Sequence, residues 1–275
     1  MNRINTIAGT QPITDRDFQQ IRDWIYHRAG IHLSDQKKAL VSGRLAARLR
    51  YYQLTRYGDY FNLLHSGSHP DESQMAVDLL TTNETYFFRE PKHFDFLRDQ
   101  IVPGHPTGRL FRVWSAACSS GEEPYSIGMT LASCLGDHPW KILASDLSRR
   151  VLERARAAVY PIERAKTVAR SQLLAHCLRG TGGYEGTFQV ASHVTSRVRF
   201  SQINLNGPLP AICEFDVIFL RNVMIYFDGP TKQQVIDRVL ACLRPGGYLM
   251  IGHSESLTSI NSIMKSVAPA IYRKP

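Results

Sequence analysis

Apolar residues in the first third of the chain recur at three- and four-residue steps. Phe18, Ile21, Trp24 and Ile25 set the pattern, which is the period of a helix with one buried face. Thr14 or Asp15 stands where an N-cap belongs, and Gly30 follows Ala29 where a helix ends. Ser34 or Asp35 opens a second helix that runs to Arg50, and 57–64 fits a third. The turn-rich stretch HSGSHPD (65–71) separates these from a fourth, 72–80. A fifth starts at Pro91, a residue suited to a first helical turn, and reaches Ile101.

Beyond PGHPTG (103–108) the pattern changes. Strands are predicted at 110–114, 141–144, 215–220, 248–251 and 270–272, and another begins near Val198 and ends at Asn204-Leu205. Helices are predicted at 123–135, 148–159 and 231–243, with Arg244-Pro245-Gly246-Gly247 stopping the last. The run 215–220 is continuously apolar, as in a strand covered on both faces. Strands alternating with helices give βαβ units and a mainly parallel sheet. CLRGTGGYEG followed by TFQVASHVTSRVRF interrupts that alternation and reads as a small antiparallel hairpin or ribbon. The expected organisation is a helical domain with linker over 1–88, an α/β domain over 89–275, and an insertion at 177–202.

Composition narrows the class. A chain of 275 residues with 43% hydrophobic and 21% charged residues can bury a full core without disulfide or metal staples. Its apolar runs fall far short of the ~20 residues that span a bilayer. The start, MNRINTIAGTQPITDRDF, has no apolar leader core. The five cysteines, Cys118, Cys134, Cys177, Cys213 and Cys242, form no C-x-x-C pair. That argues against a disulfide framework or thiolate zinc site and fits reduced thiols in a cytoplasmic protein. The ten histidines show no ligand spacing, so no metal is expected. A net charge of +9 favours an acidic partner. No basic strand is interleaved with aromatics, so nucleic acid is not the expected one.

Ligands of open α/β sheets bind at the carboxyl ends of the strands. Those ends carry SAACSSGEEPYS (115–126), Asp146, Asn204-Leu205, and Arg221-Asn222 with Tyr226. The first loop lacks G-x-G-x-x-G and offers Glu122 and Glu123 where a phosphate binder wants bare N–H groups. Carboxylates there suit a cationic ligand such as the sulfonium of S-adenosylmethionine, ahead of NAD or ATP. They equally suit a helix start. Asp146 is placed to accept from both hydroxyls of a ribose, or to cap a helix.

Five runs together carry a resemblance: TTNETYFFRE (81–90), SAACSSGEEPYSIGM (115–129), ILASDLS (142–148), FDVIFLRNVMIYFD (215–228) and LRPGGYLMIGHSES (243–256). In order and spacing they resemble the chemotaxis receptor methyltransferases (CheR). The resemblance implies a Rossmann-like S-adenosylmethionine-dependent methyltransferase sheet, an N-terminal helical domain and a small β-subdomain. It implies methyl transfer to glutamate side chains of chemoreceptors, giving glutamyl methyl esters and S-adenosylhomocysteine. Cofactor contacts are implied at Asn83, Thr85, Arg89, Glu122 (or Glu123, one register on), Asp146, Asn204, Leu205, Arg221 and Asn222. Arg89 and Tyr226 match the residues nearest the transferred methyl. A glutamate carboxylate is already ionised near neutral pH, so no general base is required.

The same resemblance implies acidic receptor helices as partners of the helical domain. Lys37, Arg44 and Arg48 recur at steps of seven and four residues, one stripe of a helix. They are the expected receptor-facing cations, a solvated face being the plainer alternative. In some family members the β-subdomain edge binds a receptor C-terminal peptide by strand addition. The alternative here is a structural insertion. A non-catalytic donor-binding regulator and an RNA methyltransferase are the competing functions. Intact Arg89, Asp146, Asn222 and Tyr226 argue against the first, and the lack of a base-flipping signature against the second.

Overall fold

The structure is a computed structural model that describes residues 9–258, 260 and 263–275. The first eight residues of the stretch read for a leader lie outside the described residues. The chain forms two compact units. One runs to Thr82 and includes Tyr226–Thr231; the other comprises Asn83–Ile225 and Lys232–Pro275.

The helical unit contains α1 (Asp15–Ala29), α2 (Lys38–Tyr51), α3 (Tyr57–His65) and α4 (Pro70–Leu80). Thr14 caps α1 in a capping box. Its hydroxyl accepts from Asp17 N at 3.1 Å, and its own N–H donates to the Asp17 carboxylate at 3.2 Å. Gly30 closes the helix with φ at 72°, a left-handed conformation that glycine adopts freely. Ser34 makes no side-chain cap, because 35–37 first forms a 3-10 turn and α2 starts only at Lys38. Ile21, Ile25, Val41, Leu45, Leu49 and Tyr60 are wholly buried and form the core of this unit.

The packing of α2 engages two members of the basic stripe. Arg48 is ion-paired with Glu72, a carboxylate only 4% exposed that also accepts from the Tyr60 hydroxyl. Arg44 donates to the carbonyls of Leu80 at 2.8 Å and Thr81 at 3.0 Å, closing the C-terminal end of α4. Two of the three cations therefore hold α2 to α4 and do not present a free face. Lys37 is exposed, as is Arg50.

The second unit begins with α5 (Lys92–Phe96), prolonged by a π-helical turn over Leu97–Ile101. Then follow β1 (Phe111–Ser115), α6 (Glu122–Leu135), β2 (Trp140–Asp146), α7 (Arg149–Ala157), β3 (Val159–Pro161), α8 (Arg170–His176), β4 (Cys177–Arg179) and β5 (Thr187–Val190). The chain continues through α9 (Ser192–Thr195), β6 (Val198–Gln202), β7 (Phe215–Leu220), α10 (Gly229–Ala241), β8 (Leu243–Ile251), β9 (Lys265–Ala268) and β10 (Ile271–Arg273). The main sheet runs β6-β2-β1-β7-β8-β10-β9. Its first five strands are parallel, and β10 is antiparallel to both neighbours. All six residues of β7 are buried, as a central strand covered on both faces requires. Strand order reverses between β1 and β7, which puts the ligand crevice at their carboxyl ends.

Two local expectations are corrected. Arg244-Pro245-Gly246-Gly247 lies inside β8, where the pairing with β7 shifts register and absorbs the proline. The stretch 177–202 is not one hairpin. β5 pairs with β4 on one side and β3 on the other, making a separate three-stranded antiparallel sheet. β6 instead joins the main sheet beside β2. The small sheet thus draws on 159–161 as well as 177–190, and 198–202 is outside it.

Candidate active site

The loop after β1 turns into α6 at Gly121, whose φ is 96°. A Cβ there would lie 2.8 Å from both Ala155 Cβ and Tyr160 Oη, so only glycine fits. The Tyr160 hydroxyl donates to the Ser120 carbonyl at 2.8 Å and braces the turn. The two glutamates that follow part company. Glu123 accepts from the Ser115 hydroxyl at 2.7 Å and from Arg221 Nη1 at 2.8 Å. Glu122 is 1% exposed, accepts from the Ser120 hydroxyl at 2.7 Å and has Arg164 no nearer than 3.6 Å. Burial pushes its carboxyl above the usual carboxylate range. Glu122 is the carboxylate with capacity left for a ligand; Glu123 is engaged in the fold.

Asp146 ends β2 and is buried. One carboxylate oxygen accepts from Ser119 N at 2.9 Å and the other from Ser148 N at 2.9 Å. It is not the helix cap: Ser148 caps α7, its hydroxyl accepting from Val151 N. Asn204 and Leu205 follow β6. The Asn204 side chain accepts from Asn206 N at 3.0 Å, and the Leu205 carbonyl accepts from Arg238 at 3.1 Å.

The segment 83–90 packs with the α/β unit and does not serve as a linker to the helices. Ser119 Oγ donates to the Asn83 carbonyl at 2.8 Å, and Arg164 donates to the Thr85 carbonyl at 2.8 Å. Thr167 donates to the Phe87 carbonyl at 2.7 Å, and Phe87 itself is buried against Tyr160 and Phe188. Arg89 donates to the Glu84 carbonyl at 3.1 Å and lies over the Tyr86 ring. Among the described residues it makes no ion pair.

The Arg221 guanidinium is engaged within the fold. Its side chain is 1% exposed and ion-paired with Glu123 at 2.8 Å and Glu90 at 3.0 Å, and it also donates to the Arg89 carbonyl. Its guanidinium is a clamp joining β7, α6 and the 83–90 segment. Burial alone would raise the Glu90 carboxyl, but the Arg221 guanidinium outweighs it and holds it below the usual range. Asn222 has φ at 56° and donates to Glu90 through Nδ2 at 3.4 Å. Its N–H donates to Glu255 at 2.9 Å. Glu255 also accepts from Gly252 N at 2.7 Å and Ile225 N at 3.3 Å, which fixes the turn after β7.

Tyr226 is half-buried, and its carbonyl accepts from His32 N at 2.8 Å within the helical unit. Among the described residues, four of the seven non-glycine residues with positive φ, namely Phe88, Glu90, Ser119 and Asn222, fall in the 83–90 segment and the loops after β1 and β7. Such strained backbone concentrates at functional sites. Sequence reasoning did not single out Glu90, Glu255, His93 or His253. For Glu90, Glu255 and His253 the signal lay in the quoted runs FFRE and GHSES, whose members meet only in the fold; His93 lies outside both. His93 is fully buried, and burial, with the Arg221 charge nearby, lowers its imidazole to about 3.

Residues 83–272 match the family described as CheR methyltransferase, SAM binding domain, and residues 16–81 match CheR methyltransferase, all-alpha domain. This chain belongs to the CheR methyltransferase family. The two CheR matches meet where the compact units divide, at Thr82 and Asn83. The chain is 45% identical over 253 residues to the chemotaxis protein methyltransferase of Escherichia coli (strain K12), covering 90% of this chain and 87% of that protein. It is 44% identical to chemotaxis protein methyltransferase 2 of Pseudomonas aeruginosa, over 94% of this chain and 93% of that one. With the chemotaxis protein methyltransferase of Borreliella burgdorferi it shares 35% identity over 95% of each. CheR membership makes S-adenosylmethionine the methyl donor. The donor set fits it: Glu122 and Asp146 are buried carboxylates suited to hydroxyls and cationic groups.

Proposed function

We propose that this methyltransferase esterifies glutamate side chains of chemoreceptors in chemotactic adaptation. The observation that supports this reading is the contrast between two arginines. Arg221 is committed to Glu90 and Glu123, whereas Arg89 keeps most of its guanidinium fork for a carboxylate. A glutamate substrate brings that carboxylate, already ionised and nucleophilic near neutral pH.

S-adenosylmethionine supplies the electrophilic methyl when bound. Asp146 would hold the ribose hydroxyls, and Glu122 a hydroxyl or cationic group. Asn83, Thr85, Asn204, Leu205 and Asn222 would complete the donor pocket from their segments. Arg89 orients a carboxylate, and Tyr226 hydrogen-bonds or packs against the incoming side chain. These residues bind, align and exclude water, so catalysis is positional. In the helical unit Lys37 is the exposed member of the original stripe and would steer an acidic receptor helix. A receptor C-terminal peptide would add to the free edge of β4.

The test is incubation with labelled S-adenosylmethionine and receptor cytoplasmic fragments. Base-labile label on glutamate is expected. Base-stable label, or label on another residue type, overturns the reading.

A further inference from the structure

Glu90, His93 and His253 converge beside the Arg221 clamp. One ligand atom from each lies within 4.8 Å of the other two. Glu90 Oε2 is 3.5 Å from His93 Nδ1 and 3.8 Å from His253 Nε2. Around Zn²⁺, with bonds of about 2.0–2.1 Å, the edges of a tetrahedron are roughly 3.3–3.5 Å. One edge is already of that length. The second Glu90 edge, and the His93–His253 edge, which is within 4.8 Å, would both close by a turn of His253, whose side chain is 46% exposed.

A second observation points the same way. His93 is 0% exposed, yet neither ring nitrogen has a hydrogen-bond partner among the described residues; Glu90 Oε2 has the Arg221 ion pair at 3.0 Å but no hydrogen bond. The Pro269 carbonyl lies near the ring without reaching hydrogen-bond geometry. Fully buried polar atoms without partners are rare in native folds, and an ion or water is the usual reason. Charge also has room for a cation. Glu90, Glu123 and Glu255 meet here, against the single guanidinium of Arg221 and several backbone amides. The other Glu90 oxygen is held by Asn222 Nδ2 and by His253 N at 3.2 Å. A cation on Oε2 would therefore compete only with Arg221, which retains Glu123.

We infer that Glu90, His93 and His253 form a binding site for a divalent transition-metal cation, Zn²⁺ foremost, with a fourth position open to water. Two imidazoles and one carboxylate suit Zn²⁺, whereas Mg²⁺ and Ca²⁺ require oxygen ligands. The inference does not depend on which protein is methylated. Glu90 adjoins Arg89 and holds Asn222, so occupancy would bear on the donor pocket.

The test uses the untagged, chelator-treated full chain. Calorimetric titration with Zn²⁺ measures stoichiometry and affinity, and Co²⁺ reports four-coordinate geometry by its visible absorption. One ion per chain is expected. His253→Ala, a surface change that spares the core, should weaken binding at least about tenfold, since even losing an outer-shell partner costs that much. It should also abolish the Co²⁺ band. His193→Ala, which removes a different histidine pair, should leave both unchanged. Absence of stoichiometric binding overturns the site, as does His253→Ala binding like wild type, or loss that follows His193→Ala instead. His93→Gln should match His253→Ala; if it fails to fold, His253→Ala alone decides.

Discussion

Glu123 Oε2 lies 2.8 Å from Arg221 Nη1 although 98 residues separate them. The pair ties the first turn of α6 to the end of β7, across the point where strand order reverses. It engages Glu123, the second of two adjacent glutamates, in the fold. Glu123→Gln is expected to lower stability in denaturant titration by about 3 kcal/mol, because a buried guanidinium loses one of its counter-charges. Glu122→Gln should instead weaken S-adenosylhomocysteine binding at least about tenfold, or ~1.4 kcal/mol. If the two phenotypes were exchanged, the register would be wrong.

The raised carboxyl of Glu122 sets a pH dependence. The folded protein holds this proton to higher pH than the unfolded chain does. Its contribution to stability is complete below the unfolded pKa and is lost as pH rises through the raised one. Donor binding moves oppositely, since the ligand wants the ionised carboxylate. Affinity for S-adenosylhomocysteine, measured by calorimetry, should climb with pH from the ordinary carboxylate range upward. In Glu122→Gln that climb should flatten.

Asp146→Ala should show two losses. Donor affinity falls at least about tenfold as charge-assisted ribose bonds disappear, ~1.5–3 kcal/mol. Stability falls by about 1–3 kcal/mol because the Ser119 and Ser148 amides lose their acceptor. Loss of stability with unchanged affinity would leave Asp146 as a loop brace alone.

Arg48→Ala and Lys37→Glu should separate in the helical unit. The first strands the buried Glu72 carboxylate and should cost about 3 kcal/mol in thermal or chemical unfolding. Burial alone would raise Glu72, but hydrogen bonds from Arg48 and Tyr60 hold it below the usual range. Its stabilisation is therefore present above the unfolded carboxylate pKa and lost as pH falls through the lowered one. Lys37→Glu should leave unfolding unchanged. It should reduce kcat/KM for a receptor fragment, most at low salt. A wild-type rate at low salt would remove Lys37 from any receptor contact.

Legibility in the sequence followed the range of the interaction. α1 was readable because Thr14, Asp17 and Gly30 act on neighbours three or four residues away. β7 was readable because a strand covered on both faces has no polar alternation to hide. Glu122 and Glu123 were indistinguishable because the deciding partner is Arg221, far along the chain. Arg44 and Arg48 lie four residues apart on α2, but periodicity does not reveal that Glu72 and the Leu80 carbonyl of α4 engage them. β3 escaped notice because VYP is three residues with a proline, and it is a strand only by virtue of β5. The Glu90, His93 and His253 cluster escaped because Glu90 and His253 are 163 residues apart.

The bond from Tyr160 to Ser120 has a consequence for exchanging parts among relatives. Tyr160 belongs to β3, at the near margin of the small sheet, yet its hydroxyl props the turn that presents Glu122. Phe87 and Phe188 pack on the same ring. A chimera that replaced the whole subdomain would import a foreign prop and detune the loop after β1 along with the small sheet. The transplantable cassette is narrower. It starts after Tyr160 and is safest confined to β4 and the tip leading into β5, where Leu178 and Tyr184 face solvent.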